Sequence, residues 1–386
     1  MRRFLSIFLA LILLLPWGSA SAREDSFIVV DEEDDIPDPR YQARALMRGM
    51  TLEEMVYQLF IVEPEALTGE KRTTALSDTE AYFARYPVGG VVLFGQNIVS
   101  EEQLSALTAA IRADAERAGV YAPFIAVDEE GGTVSRVGNK LGYSLAQSPQ
   151  LIGQAGDEAA AREAGLHIAA YLRPLGINLN FAPVADVLVA DGPEIGSRSY
   201  GSDAQAVSAL AAAMAEGLRM GGIIPCYKHF PGHGSVSGNT HTGTASTRRT
   251  LLEMRETEWV PFAAGINQDI EMIMVSHLVA KGLGDTEPAS LSQAVIGRLL
   301  REELGYDGVV VTDALRMSAI TAEYKPGTAA VRALQAGADV LLLPSSLPAA
   351  TQAIIKAVEE GTLTQARIEK SVERILALKI QRGVIQ

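Results

Sequence analysis

Three of the five histidines in the chain lie within thirteen positions of one glycine-rich segment. The segment begins with the run KHFPGHG at Lys228, and an NTH triplet ends at His241. Glycine disfavours regular structure, so these side chains are expected on a loop that its neighbours hold in place. Imidazoles titrate near neutral pH and can carry protons, which makes this loop the first candidate for catalysis.

His241 needs a partner if it is to transfer protons, and Asn239, two positions earlier, can reach its ring. The amide oxygen of Asn239 can accept a hydrogen bond and fix the tautomer, but it brings no negative charge to raise the basicity of the ring. A zinc site is the alternative for the loop histidines. Pro231 and Gly232 argue against it, because they break the helix on which a pair of histidines four positions apart binds zinc.

Asp313 ends the apolar run GVVVTD, where a carboxylate is either a nucleophile or the N-cap of a following helix. Thr312 would cap equally well, so we favour the functional role. Asp128 opens the run DEEGG, and its oxygens suit the hydroxyl groups of a ligand, although a surface acidic turn is the alternative. Arg198, in the run IGSRSY, offers a planar fork of donors. With Lys228 and His229 it would complete a polar ring around a hydroxylated substrate.

Eight short apolar runs alternate with segments of helical periodicity, which indicates a parallel sheet with buried faces. The runs are 58–62, 90–94, 124–127, 177–181, 223–227, 272–275, 308–311 and 338–343. The helical segments are 101–117, 157–172, 203–220, 251–267, 292–304 and 328–336, with a capping box at Thr51 to Glu54 before an earlier helix. Eight such units predict a single (β/α)8 barrel, and an open doubly wound sheet is the alternative.

Polar residues at the ends of these runs favour the barrel. The polar residues that follow a run are Asn97, Asp128, Glu130, Asp186, Lys228, His229, Ser276, His277 and Asp313. In a parallel barrel all strand C-termini open on one face, so these groups would meet in one pocket. Two further segments, 349–360 and 365–382, are predicted to be closing helices without chemistry of their own.

The N-terminus carries two arginines, an apolar segment and the small residues Ala20-Ser21-Ala22, which predicts a signal peptide over 1–22. Its apolar part is shorter than the roughly 20 residues that span a bilayer, so an uncleaved anchor is the weaker interpretation. We expect an acidic leader over 23–40, a barrel domain over 41–386 and a soluble, exported protein, either periplasmic or secreted. No stable membrane insertion is expected after cleavage.

The formal net charge of −14 argues against nucleic acid or an anionic membrane as a partner. The single cysteine, Cys226, lies in an apolar run and is expected to be a buried thiol. Stability must then come from a large core, which this length allows.

The chain contains, in this order, the runs MTLEEMVYQLF, DEEGG, IGSRSY, KHFPGHG and VTDAL. In their order and spacing these runs resemble the motifs of glycoside hydrolase family 3. They resemble in particular its single-domain β-N-acetylhexosaminidases, over residues 41–345. The resemblance implies a (β/α)8 barrel, a small glycan substrate, and removal of terminal β-linked N-acetylglucosamine with retention of configuration. It implies no metal or organic cofactor. The two-domain β-glucosidases of the family take their acid/base from a C-terminal domain, for which this chain leaves no room, so we expect the hexosaminidase branch.

By position, Asp313 resembles the family's nucleophile and His241 its acid/base, while Asp128, Arg198, Lys228 and His229 match its sugar-binding positions. Two residues depart from the pattern: Asn239 stands where the family pairs an aspartate with the histidine, and Thr133 stands where an arginine usually follows the double glycine. The first departure predicts a weaker base at His241. It leaves open a catalytically weak glycan-binding relative, or a glycosidase or transglycosylase of different sugar preference.

Overall fold

Eight parallel strands form one continuous sheet in the computed structural model, which describes residues 38–71, 73–75, 80–189, 195–236, 243 and 245–385. In chain order the strands are β1 Phe60–Val62, β2 Gly90–Val92, β3 Phe124–Val127, β4 Leu179–Asn180, β5 Ile224–Phe230, β6 Met272–Val275, β7 Val309–Thr312 and β8 Leu341–Leu342. Strands β1 to β7 pair in sequence order, and β8 pairs with β1. All eight predicted strands are therefore present.

The remaining edge, between β7 and β8, is joined just before β8 begins. The N–H of Thr312 donates to the Val340 carbonyl at 3.0 Å, and the N–H of Val340 donates to Val310 at 2.9 Å. A parallel bridge links Val311 with Val340. The sheet thus closes into a barrel, and the open doubly wound alternative is wrong.

Helices follow the strands and cover the outer face of the barrel. They are Pro39–Met47, Leu52–Gln58, Pro64–Thr68, Glu80–Arg85, Glu101–Arg117, Arg136–Leu141, Pro149–Ala155, Glu158–Leu172, Ala204–Met220, Leu251–Glu256, Val260–Ile266, Ala294–Glu303, Ser318–Thr321, Pro326–Ala336, Leu347–Glu359 and Gln365–Gln381. Strands buried on both faces and the apolar sides of these helices form the main hydrophobic core, in which Cys226 is buried as expected. Each large apolar side chain buried there contributes roughly 1.5–3 kcal/mol.

Local sequence signals explain where two of the helices begin or end. The hydroxyl of Thr51 accepts the Glu54 N–H at 3.2 Å and the Glu54 carboxylate accepts the Thr51 N–H at 2.7 Å, so the predicted capping box is confirmed. The single helix predicted over 251–267 is wrong, because it ends at Glu256 and a second begins at Val260. Pro261 lacks an N–H, and its ring would clash with the Thr257 carbonyl in a continuous helix.

Strand β5 runs three residues further than the sequence predicts, so Lys228 and His229 lie within it and not after it. Its pairing with β6 shifts register between Lys228 and Phe230. Side chains of a regular strand alternate between faces, and an irregularity of this kind re-aims one of them. Consecutive residues of β5 can therefore face the same end of the barrel interior.

The expected signal peptide lies outside the described residues, and so does the expected leader up to position 37. The first helix begins at Pro39, inside the interval assigned to the leader. Its start is set by Asp38, whose carboxylate accepts the Arg40 N–H at 2.8 Å, and by proline at the first helical position. Among the described helices, none is both long and apolar enough to cross a bilayer.

Asp339 holds the C-terminal helix to the barrel at the end opposite the strand C-termini. This fully buried carboxylate accepts hydrogen bonds from Ser371 at 2.6 Å, from Arg374 at 3.2 Å and from the Val310 N–H at 3.0 Å, and it also pairs with Arg301. Burial alone would raise the pKa of Asp339, but the surrounding arginines lower it below its usual value. The carboxylate is therefore ionised and fully engaged.

We expect Asp339→Asn to lower the free energy of unfolding by about 3–5 kcal/mol, because Arg301 and Arg367 lose their charged partner and Arg374 keeps only Asp307. Chemical denaturation followed by circular dichroism measures the change. Arg162→Ala, which removes an exposed ion pair with Glu216, is the control and should cost less than about 1 kcal/mol. Equal effects of the two substitutions would contradict the role of Asp339.

Candidate active site

A cavity of about 340 Å³ opens where the strands reach their C-terminal ends. The predicted nucleophile and the four predicted sugar-binding residues line it together: Asp313, Asp128, Arg198, Lys228 and His229. The rest of the lining is Val92, Phe94, Glu130, Val134, Arg136, Phe181, His233, Met274, Ala314, Arg316, Met317, Leu342 and Leu343. The barrel thus brings polar groups that are up to 185 positions apart in the sequence to one apolar-walled site.

One wall of the cavity is a chain of ion pairs centred on Glu130. The Lys228 ammonium donates to Asp128 at 2.7 Å and lies 2.6 Å from Glu130, whose other partner is Arg198. Arg198 donates to both Glu130 oxygens at 2.8 Å, in a bidentate pair. Glu130 and Lys228 are only 1% and 2% exposed, whereas Asp128 is 21% exposed. Asp128 is therefore the member of the chain that offers oxygen atoms to a ligand.

Burial and charge act in opposite directions on these groups. Burial alone would raise the pKa of Glu130, but Lys228 and Arg198 lower it to about 2. Burial would lower the pKa of Lys228, but Asp128 and Glu130 more than offset it, and the net direction is upward. Both residues keep their charges at neutral pH, so the wall is a fixed array of charges around the ligand space.

His229 joins this wall to a second buried acid, Asp186. Its Nδ1 lies 2.7 Å from the Asp186 carboxylate, and its Nε2 lies 3.5 Å from an Arg198 nitrogen. The sequence pattern predicts Asp186 at a strand end but indicates no partner for it. The structure shows that the carboxylate is completely buried and does not itself line the cavity.

Asp313 follows β7 directly and lines the cavity. Its N–H donates to the Val275 carbonyl at 2.8 Å, and its carboxylate accepts the Ala314 N–H at 2.7 Å. Burial alone would raise the pKa of Asp313. Nearby His277 and His229, the Ala314 N–H and Lys228 reverse the effect, so the pKa lies below its usual value.

The alternative helix-capping role of Asp313 is wrong. The next helix begins at Ser318 and has Met317, not Asp313, at its cap position. Thr312 does not cap it either, since its hydroxyl accepts the Leu342 N–H at 3.2 Å and so links β7 to β8. The Asp313 carboxylate is consequently available to the cavity.

His277 is fully buried and holds the chain that follows Asp313. Its Nε2 lies 3.0 Å from the Ala314 carbonyl, and its Nδ1 lies 2.7 Å from the Ser290 hydroxyl. Because a carbonyl only accepts, Nε2 carries a proton. Sequence analysis placed His277 among the strand-end residues, and its contacts give it a part in positioning the backbone next to Asp313.

Asn239 and His241 lie outside the described residues. His233, the third histidine of the segment, lines the cavity, and its ring centroid is 5.7 Å from that of His229. Within the part of the chain that is described, no cluster of three His, Cys, Asp or Glu side chains is arranged to hold a metal ion. The two positions proposed for proton transfer stay a prediction from sequence.

Arg136 and Arg316 are cavity residues that sequence analysis missed. A short hairpin, 129–131 with 134–135, turns the chain back so that the Arg136 N–H lies 3.4 Å from the Asp128 carbonyl. The double glycine, Gly131 and Gly132, was the available signal for that turn, since both have positive φ. Thr133, the departure noted above, is exposed at the hairpin and does not line the cavity. Arg316 lies over the Phe94 ring at 5.3 Å and pairs with Glu63 at 2.6 Å, at the rim.

Comparison with known proteins places this geometry in a family. Residues 51–378 match the glycosyl hydrolase family 3 N-terminal domain. The chain is 36% identical over 312 residues to the β-hexosaminidase LpqI of Mycobacterium tuberculosis, with 78% of each chain covered. It is 35% identical over 293 residues to a β-hexosaminidase of Methylococcus capsulatus, covering 74% of this chain and 84% of that protein.

Solved structures agree. A family 3 β-N-acetylglucosaminidase from a Paenibacillus species superimposes with a TM-score of 0.82 at 35% identity, over 87% of this chain and 63% of that longer one. The structure of M. tuberculosis LpqI gives a TM-score of 0.75 at 32% identity, over 89% of this chain and 96% of that one. The extent of the family match and these identities show that the chain belongs to glycosyl hydrolase family 3 and is a glycoside hydrolase of the hexosaminidase type.

Proposed function

We propose that the protein is a retaining β-N-acetylglucosaminidase that removes terminal, non-reducing β-linked N-acetylglucosamine from short glycans such as peptidoglycan fragments. The observation that carries the proposal is the meeting of Asp313 with the Asp128–Lys228–Glu130–Arg198 chain in one cavity. Its volume of about 340 Å³ is at the low end of the roughly 300–1,000 Å³ typical of ligand pockets, which suits a single sugar residue. Export through cleavage of residues 1–22 is part of the proposal.

Asp313 is the proposed nucleophile. Its depressed pKa keeps it ionised at neutral pH, as attack on an anomeric carbon requires. In the first step the carboxylate oxygen bonds to that carbon while protonated His241 donates its proton to the departing oxygen. In the second, water attacks the glycosyl-enzyme, His241 takes the proton of the water, and Asp313 is released. Two displacements at the same carbon retain its configuration.

Sugar recognition is assigned to the ion-pair chain. Asp128 accepts hydrogen bonds from sugar hydroxyls, and Lys228, His229 and Arg198 supply donors or acceptors beside it. Because Glu130 fixes both cations, little side-chain freedom is lost when the sugar binds. The apolar lining, which includes Phe181 and Met274, packs against the C–H groups on the faces of the sugar ring.

Asn239 favours a second candidate, a glycan-binding relative with little catalysis or an enzyme that transfers the sugar to an acceptor other than water. The asparagine has no charge to stabilise an imidazolium at His241. In serine proteases the comparable change from aspartate to asparagine costs roughly 10⁴ in turnover. The second candidate predicts saturable binding of N-acetylglucosamine oligomers with negligible release of sugar.

Asp313→Asn should reduce kcat on an aryl β-N-acetylglucosaminide by roughly three or more orders of magnitude, since the group that forms the covalent intermediate is lost. Release of the aryl group measures it. Asp307→Asn, at the other end of the same strand, is the matched control and should retain near-normal turnover. Near-normal turnover in the Asp313 variant would refute the nucleophile.

Asn239→Asp tests the two candidates against each other. If proton transfer at His241 limits the reaction, the added carboxylate should raise kcat on the same aryl substrate by about tenfold or more, with little change in KM. Thr240→Ser, a conservative change beside it, should leave kcat unaltered. An unchanged kcat in the aspartate variant would show that asparagine is tolerated at 239 or that another group transfers the proton.

Glu130→Gln should raise KM for the aryl substrate and lower the free energy of unfolding at pH 7 by about 3 kcal/mol, because Lys228 and Arg198 lose a buried charged partner. The pKa of Glu130 is about 2, below its unfolded value, so its stabilisation is complete above that unfolded value and is lost as pH falls through about 2. The stability gap between wild type and variant should therefore close between about pH 4.5 and pH 2. Denaturation at a series of pH values measures the gap, and a constant gap would contradict this assignment.

A further inference from the structure

Asp186 is a fully buried carboxylate that gathers three N–H groups from the start of the histidine segment. Its Oδ2 accepts from the His229 ring at 2.7 Å and from the His229 backbone at 3.2 Å. Its Oδ1 accepts from the His233 backbone at 2.6 Å. One side chain therefore holds both the last part of β5 and the turn that follows it.

The position of Asp186 is itself tightly fixed. It lies in the chain that follows β4, where the Ala185 N–H donates to the Lys228 carbonyl at 2.7 Å and the Ser199 hydroxyl donates to the Asp186 carbonyl at 2.6 Å. Gly234 lies so close to Val187 that an added Cβ would be only 2.0 Å from the Val187 carbonyl oxygen. The segment after β4 and the turn after β5 are consequently packed as one body.

Hydrogen-bond chemistry then decides the tautomer of His229. Burial alone would raise the pKa of Asp186, but His229 and His233 lower it below its usual value, so the group is a carboxylate and can only accept. The ring nitrogen at 2.7 Å must carry the proton, which is Nδ1. In the neutral ring Nε2 is an acceptor. An Arg198 nitrogen lies 3.5 Å from it, on the side of the ion-pair chain.

We propose that Asp186 is the positioning residue of the sugar site: it fixes His229 as the Nδ1–H tautomer, with Nε2 turned to the ligand as an acceptor, and anchors the turn at His233. A sugar hydroxyl donates to Nε2 in place of the long 3.5 Å contact from Arg198, while Asp128 accepts from a neighbouring hydroxyl. This assignment of His229 rests on the proposed glycosidase function, but the tautomer does not.

Asparagine cannot reproduce the role of Asp186, although it has the same shape. Its amide NH₂ must occupy one of the two oxygen positions, and each of these faces an N–H donor. If the NH₂ faces the ring, His229 has to switch to the Nε2–H tautomer, which removes the acceptor from the ligand side. If it faces His233, the turn loses its anchor. Either arrangement leaves a buried donor without an acceptor.

The first test is two-dimensional NMR of the full chain with ¹⁵N-labelled histidine at pH 8, with the His229 signals identified by their loss in His229→Asn. Wild type is expected to carry its proton on Nδ1 and none on Nε2. A proton on Nε2 in the wild-type protein would overturn the proposal. This result is decisive even if Asp186→Asn folds poorly, and it does not depend on any glycosidase activity.

The second test is kinetic, with Asp339→Asn as a control that makes the same substitution at an equally buried carboxylate far from the cavity. Per folded molecule, Asp186→Asn should lose roughly 10- to 100-fold in kcat/KM on the aryl substrate, while Asp339→Asn should stay within about twofold of wild type. Equal losses in the two variants would show a merely structural role and overturn the proposal. If wild type has no turnover, the proposed function fails. Calorimetric titration with N-acetylglucosamine then replaces the measurement of kcat/KM, and Asp186→Asn is expected to lose the same factor in affinity.

Discussion

The buried contact between Glu130 and its two cations is the interaction on which the site depends. Lys228 has almost no exposure, and moving an isolated ammonium into such a place would cost several kcal/mol. Asp128 and Glu130 supply two negative charges for Lys228 and Arg198, so the chain is neutral as a whole while each member stays charged. The barrel can therefore carry polar groups into its apolar interior and present only Asp128, with its partners behind it, to a ligand.

Barrel closure is the constraint that makes this contact possible. Asp128 follows β3, Lys228 belongs to β5 and Asp313 follows β7, and only a sheet that returns on itself turns these strand ends towards one axis. Thr312 illustrates how closely the closure and the site are linked, since its side chain bonds across to Leu342 while the next residue is Asp313. A rearrangement that opened the β7–β8 edge would also displace the proposed nucleophile.

Strands, most helices and part of the cavity lining could be predicted from the sequence because each depends on local pattern: apolar runs, capping residues and spacing. The expectation that every strand-end residue meets in one pocket was wrong for Asn97, Asp186, Ser276 and His277, which do not line the cavity. Pairings between distant residues could not. Nothing in the run DEEGG says that Glu130 turns inward between two cations while Asp128 faces the cavity, because that follows from where Arg198 and Lys228 arrive in space. The helix predicted over 251–267 failed for a different reason, since helical periodicity outweighed Pro261, and Arg136 was missed because a hairpin returns it to Asp128.

The two halves of the proposed chemistry depend on different physical properties. On the described wall each of the four charged side chains has a partner of opposite sign, and the shifted pKa values of Glu130, Lys228 and Arg198 hold these three groups in their charged forms around neutral pH. Proton transfer at His241 needs the reverse, a group that changes charge during the cycle and whose basicity depends on its neighbour. Asparagine at 239 alters only this second requirement, because it changes no charge on the wall. Affinity and turnover must therefore be measured separately to define what the protein does.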